Sequence, residues 1–85
     1  MADISFTQFV ISLATSAAIH FGDAAEPGGE KLKEPNLEGA QQMIQILAVL
    51  EEKTKGNLTV EERQLLEQIL FELRMRYVQV SSGRS

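Results

Sequence analysis

Residues 50–80 read LEEKTKGNLTVEERQLLEQILFELRMRYVQV, and this stretch decides the fold. It contains the end of one predicted helix, a short turn at Gly56 and the start of the longest predicted helix after Thr59. Thr59 and Glu62 have the spacing of a capping box, in which each side chain bonds the backbone N–H of the other residue. Because the turn is short, the helices on its two sides are expected to form an antiparallel hairpin.

The third helix, predicted at about residues 60–80, carries apolar residues on two sides. At about 100° per residue, one broad face collects Leu65, Leu66, Ile69, Leu70, Leu73, Tyr77 and Val80. Nearly opposite lies a second row formed by Phe71, Met75 and Val78, with Val60 in line. A helix of a small monomer needs one apolar face, so the second row predicts a surface for a partner. Scattered surface apolar residues, which are common, are the alternative interpretation.

The N-terminal segment predicts a helix that begins after Ser5. Ser5 and Gln8 have capping-box spacing, and Ile4 and Phe9 occupy the positions of a hydrophobic staple. Gly22 supplies the expected stop.

This first helix, at about residues 6–21, has an apolar arc wide enough to be buried on two sides. Its small residues, among them Ala14 and Ala18, would let a second helix approach closely. Ala14 and Ala18 are therefore predicted to take part in self-association.

Residues 23–36 lack apolar periodicity and contain Pro27, Gly28 and Gly29. They predict a flexible linker, long enough for the first helix to pack on its own chain or on a neighbouring one. A second helix is predicted at about residues 37–55, capped by Asn36, and residues 81–85 are expected to fray.

Length and composition indicate one small globular domain. The chain has 85 residues, of which 44% are hydrophobic and 24% charged. A domain of this size buries proportionally little surface, so oligomerisation would add stability. The net charge of −4 disfavours nucleic acids and anionic membranes as partners, and the absence of cysteine fits a reducing compartment.

The first helix is not expected to span a membrane. Between Asp3 and Asp23 no residue carries a fixed charge, but serine, threonine, glutamine and histidine interrupt the apolar run. The only charge before it is acidic, whereas a signal peptide begins with basic residues. A cytoplasmic location follows as the expectation.

No catalytic, metal or cofactor site is predicted. His20 is the sole histidine and has neither a cysteine nor a second histidine to complete a metal site or a triad. One alternative stays open: a polar pocket for a small ligand, or the active site of an enzyme, formed by His20, Arg74, Arg76 and Tyr77.

Several motifs resemble a bacterial family known as domain of unknown function 1844. They are Ser12-Leu13-Ala14-Thr15, His20, the segment 53–59 (KTKGNLT) and the segment 73–77 (LRMRY). The resemblance covers about residues 6–22 and 37–78. It implies a small cytoplasmic helical protein and no known catalytic residues.

The sequence therefore predicts an all-α, three-helix chain that forms a homodimeric bundle. Its predicted function is that of a non-enzymatic interaction module that binds a second copy of itself, with another protein as an open alternative partner.

Overall fold

The computed structural model describes residues 5–82 and contains three α-helices. They are α1 (Phe6–Phe21), α2 (Leu37–Lys53) and α3 (Val60–Ser82). No β-strand is found within this part of the chain. The all-α, three-helix prediction is confirmed.

Helix α1 begins and ends where local signals predict. The Ser5 hydroxyl accepts a hydrogen bond from the Gln8 N–H at 3.0 Å, and the Ser5 N–H donates to Gln8 Oε1 at 3.1 Å. Gly22 has φ of 86°, a left-handed conformation that suits glycine, and its N–H bonds the last carbonyls of the helix. The Ile4 half of the predicted staple lies outside the described residues.

The linker between α1 and α2 is exposed along most of its length but returns to the end of α1. The Asn36 N–H donates to the His20 carbonyl oxygen at 2.6 Å, and Asn36 Oδ1 accepts from the Gly39 N–H at 3.0 Å. Asn36 thus caps α2, as predicted, while its backbone holds α2 against the last turn of α1.

The turn between α2 and α3 ends α2 earlier than predicted. The helix stops at Lys53 and not at about residue 55: Thr54 is the C-cap, and its hydroxyl donates to the Leu50 carbonyl oxygen at 2.7 Å. Gly56 follows in the left-handed region, with φ of 85°. The capping box at the start of α3 forms, with Thr59 and Glu62 joined by reciprocal bonds of 3.0 and 3.1 Å.

Helix α3 continues past its predicted end at residue 80. Ser81 and Ser82, expected to fray, are helical, and both hydroxyls donate to the Val78 carbonyl oxygen. These hydroxyl bonds lie within the last turn of the helix. The rest of the predicted tail lies outside the described residues.

The three helices pack as an up-down-up bundle around two apolar clusters. The first joins all three helices through Val10, Leu47, Leu66 and Leu70, and the second joins α1 to α2 through Ala17, Phe21 and Ala40. The partly buried predicted core residues of α3 border these clusters, among them Leu65, Ile69, Leu73, Tyr77 and Val80. Helix α1 therefore packs on α2 and α3 of its own chain.

Candidate functional site

The outward side of α3 carries an apolar row of Phe71, Met75 and Val78, here called the α3 row. Their exposed fractions are 64%, 47% and 58%. The spacings of four and three residues keep the three side chains on one face over two turns. Polar side chains border this face, and Gln68 donates a hydrogen bond to Glu72 at 3.1 Å. The α3 row is thus an apolar strip with a polar rim.

Other exposed apolar side chains lie on α1 and α2. Phe9 and Ile11 are exposed on α1. On α2, a shallow depression of about 400 Å³ is lined by Gln42, Gln45, Ile46 and Val49. Phe9 and Ile11 lie about 200° apart around α1 and do not share a face, and the α2 depression has two large apolar side chains, fewer than the α3 row.

Ala14 and Ala18, the other residues predicted for self-association, are half-buried. On α1 they follow the buried Val10 and flank the buried Ala17. They are separate from the α3 row.

The four residues of the predicted polar pocket make separate contacts. His20 Nδ1 lies 3.4 Å from Asn36 Nδ2, and Tyr77 packs against the cluster that contains Phe21. Arg76 bonds Asp23, and Arg74 is exposed. None of the four lines the depression on α2 or the cleft at the α2–α3 turn, so these contacts lend no support to a shared pocket.

Arg76 forms a two-bonded ion pair with Asp23, just after the end of α1. Its Nε donates to Asp23 Oδ2 at 2.8 Å and its Nη2 to Oδ1 at 2.6 Å. These hydrogen bonds raise the pKa of Arg76, which burial slightly opposes. Because the pKa of Arg76 is raised in the folded state, the stability that its cation contributes is fully present below the ordinary arginine pKa. That stability is lost only as pH rises through the folded-state pKa. The pair joins the C-terminal half of α3 to the end of α1.

Replacing Asp23 with asparagine should lower the free energy of unfolding by about 0.2–1 kcal/mol, because exposed ion pairs contribute little. The difference should shrink in 1 M NaCl, which screens surface charges. Urea unfolding at low and high salt measures both effects. Glu26→Gln, in the exposed linker, is the matched control and should change stability less; equal losses in the two variants would contradict the assigned role of Asp23.

A cleft of about 340 Å³ lies beside the α2–α3 turn. Two loose ion pairs lie along it, Lys55 with Glu52 at 3.9 Å and Arg63 with Glu67 at 3.5 Å. Its lining residues are Glu51, Glu52, Thr54, Lys55, Gly56, Leu58, Arg63, Leu66 and Glu67. Acidic and basic side chains both line the cleft, so it does not strongly favour one ligand charge.

Neither a metal site nor a membrane-spanning helix is present within residues 5–82. Across residues 5–82, no group of three or more His, Cys, Asp and Glu side chains is placed to hold a metal ion. No helix of this segment has both the length and the apolar character needed to cross a membrane.

Sequence reasoning missed the roles of Asp23 and Gly39. Gly39 is buried against His20: a Cβ built on it would lie 2.7 Å from His20 Nδ1 and 2.8 Å from Asn36 Nδ2. A glycine in the first turn of a helix, where propensity disfavours it, is a signal that could have indicated this close approach. The Asp23–Arg76 pair has no local signal, because 53 residues separate its members.

Comparison with known proteins identifies a family. No curated protein and no solved structure matches the chain. A family model described as "Domain of unknown function (DUF1844)" matches residues 3–79. The match includes all the motifs described above, at residues 12–15, 20, 53–59 and 73–77. The chain belongs to the DUF1844 family.

Proposed function

We propose that this protein is a non-catalytic helical interaction module that associates with a second copy of itself through the α3 row. The exposed row of Phe71, Met75 and Val78 is the observation that carries the proposal. Three aligned large apolar side chains with a polar rim are the composition of a contact surface.

The total surface supports a partner of substantial size. The chain exposes 6010 Å², whereas a monomer of 9.4 kDa is expected to expose about 5000 Å². The exposed linker and the exposed helix faces both contribute to this excess. A standard interface buries about 800 Å² on each partner, so the excess is of the size that one interface would cover.

The dimensions of the chain agree with this estimate. Its radius of gyration is 13.7 Å, whereas a compact domain of 85 residues is expected to have about 12 Å. A folded domain that is less compact and has a small core gains more from association than a compact one does, because association removes additional apolar surface from water.

A second copy is the proposed occupant of the surface. Most soluble oligomers are homo-oligomers, and the two-fold dimer is the commonest form, in which one patch meets the same patch of the other copy. A single continuous row on one helix can serve both sides of such a contact. Another protein that binds the same row is the outcome expected if the pure chain remains monomeric.

The proposal includes the cytoplasm of a bacterium as the site of action. The absence of cysteine suits a reducing compartment, and the motif resemblance is to a bacterial family. Fractionation of the native cell tests the location.

Replacing Phe71 and Met75 together with glutamate should reduce the dimer to a monomer. Four carboxylates would then meet at the interface, and burying unpaired like charges is strongly unfavourable. Sedimentation equilibrium over a range of concentrations measures the mass. Circular dichroism should show unchanged helix content, because both side chains lie outside the core clusters.

Val49→Glu is the matched control for this experiment. Val49 is a comparably exposed apolar residue, 57% accessible, but lies on α2. The control should keep the dimer mass. A dimer that survives the double substitution would place the interface elsewhere, and a wild-type mass of one chain at every concentration would refute self-association.

A further inference from the structure

We infer that two copies pair through α3 in an antiparallel arrangement, with the two-fold axis near Phe71. This inference rests on the proposed function, because it specifies how the α3 row meets its counterpart. The partner is a second copy of the chain.

The exposed apolar residues of α3 are placed for an antiparallel contact. Val60, 56% exposed, lies on the same side as Val78, since 18 residues make about five full turns at 3.6 residues per turn. Antiparallel pairing brings Val60 of one copy toward Val78 of the other. The midpoint of this span is residue 69, about 3 Å along the helix axis from Phe71, so the two Phe71 rings would lie close to the axis.

The charges along the edges of the row favour the same orientation. Glu67 and Arg74 are exposed and border the row on one side, and Glu72 is exposed on the other side. In an antiparallel pair, the side of the row that carries Glu67 and Arg74 faces the same side of the second copy. Glu67 of each copy then meets Arg74 of the other. The midpoint of these two residues, like that of Val60 and Val78, falls close to Phe71.

A parallel pair would instead oppose like charges. In parallel helices the two different edges of the apolar row face each other, which sets Glu67 of each copy against Glu72 of the other. Parallel alignment also places helix ends of the same partial charge side by side. Both effects disfavour the parallel arrangement.

Glu67 already has a neighbour within its own helix. Its carboxylate lies 3.5 Å from Arg63 and its side chain remains 51% exposed. A carboxylate has two oxygens and can accept from two cations, so Arg63 does not prevent a contact with Arg74 of the second copy.

Cysteine cross-linking tests the orientation cleanly because the chain contains no cysteine. Glu67→Cys is mixed with Arg74→Cys, one of the two carrying a mass tag, and the mixture is oxidised gently. A disulfide requires Cα atoms about 4.4–6.8 Å apart. The antiparallel pair should therefore give a covalent product that contains one chain of each kind. Both positions are exposed, and the α3 row stays intact.

A second mixture, Glu67→Cys with Glu72→Cys, reports the parallel arrangement. A mixed product from the second mixture and not from the first would overturn the antiparallel orientation while leaving self-association in place. A protein of dimer mass that links in neither mixture would overturn the α3–α3 contact. A protein of one-chain mass that links in neither would overturn the proposed function as well. Val49→Cys, on α2, supplies the background level of linking.

Discussion

Replacing Leu47 with alanine should cost about 2–5 kcal/mol of the free energy of unfolding, the range measured for fully buried leucines. Leu47 is fully buried on α2, where it packs with Val10 of α1 and with Leu66 and Leu70 of α3. It thus joins α2 to both other helices, and its truncation would leave a cavity at the centre of the bundle. A domain of 85 residues has a total stability of about 4–13 kcal/mol, so the substitution should remove a large share of it and lower the unfolding temperature clearly.

Urea unfolding followed by circular dichroism measures this loss. The experiment belongs in the Phe71→Glu/Met75→Glu background, because association would make the apparent stability depend on protein concentration. Val49→Ala, an exposed position on the same helix, is the control and should change stability by less than about 0.5 kcal/mol. Similar losses in the two variants would contradict the packing of α2 in the bundle.

The beginnings of the helices could be predicted because their signals are local. Ser5 with Gln8 and Thr59 with Glu62 form the two predicted capping boxes, and Asn36 caps α2. Each signal spans four residues, so it does not depend on how the helices pack. The division of α3 into a core face and an exposed row was predictable for a related reason, since both follow from the helical period.

The end of α1 at Gly22 was predicted, but those of α2 and α3 were predicted less accurately. A hydroxyl bonds a carbonyl of the preceding turn at both ends, Thr54 to Leu50 where α2 stops and Ser82 to Val78 where α3 continues. In a sequence, serine and threonine signal capping bonds and irregular structure equally well. Their position alone does not reveal which of these they form.

The polar contacts between elements could not be predicted, because they depend on tertiary packing. The charges of Asp23 and Arg76 are visible in the sequence, but their pairing follows from how α1 and α3 lie together. His20 and Tyr77 were grouped with Arg74 and Arg76 because a cation and two hydrogen-bonding groups could form a polar pocket. Packing gives His20 a place beside Asn36 and Tyr77 a place against an apolar cluster.

The α1–α2 junction gives the second large expected effect, at Gly39. Alanine normally stabilises a helix relative to glycine by about 1 kcal/mol. At this position the new Cβ would lie 2.7 Å from His20 Nδ1, 2.8 Å from His20 Cε1 and 2.8 Å from Asn36 Nδ2. Either the imidazole or the capping amide has to move. Gly39→Ala should therefore destabilise the protein by about 1–3 kcal/mol, the usual cost of overpacking.

Removing the neighbours of Gly39 distinguishes this clash from other causes. In a His20→Ala/Asn36→Ser background, serine still caps the helix while both crowding groups are gone, so Gly39→Ala should become neutral or stabilising there. The difference between the effects of Gly39→Ala on the free energy of unfolding in the two backgrounds is the interaction energy that a double-mutant cycle isolates. Gly29→Ala is the matched control, because its Cβ would be 3.5 Å from the nearest atom, an ordinary contact. If Gly39→Ala raised stability in the otherwise unchanged chain, the His20 ring could not lie against the first turn of α2, and the contact that joins α1 to α2 at this end would be wrong.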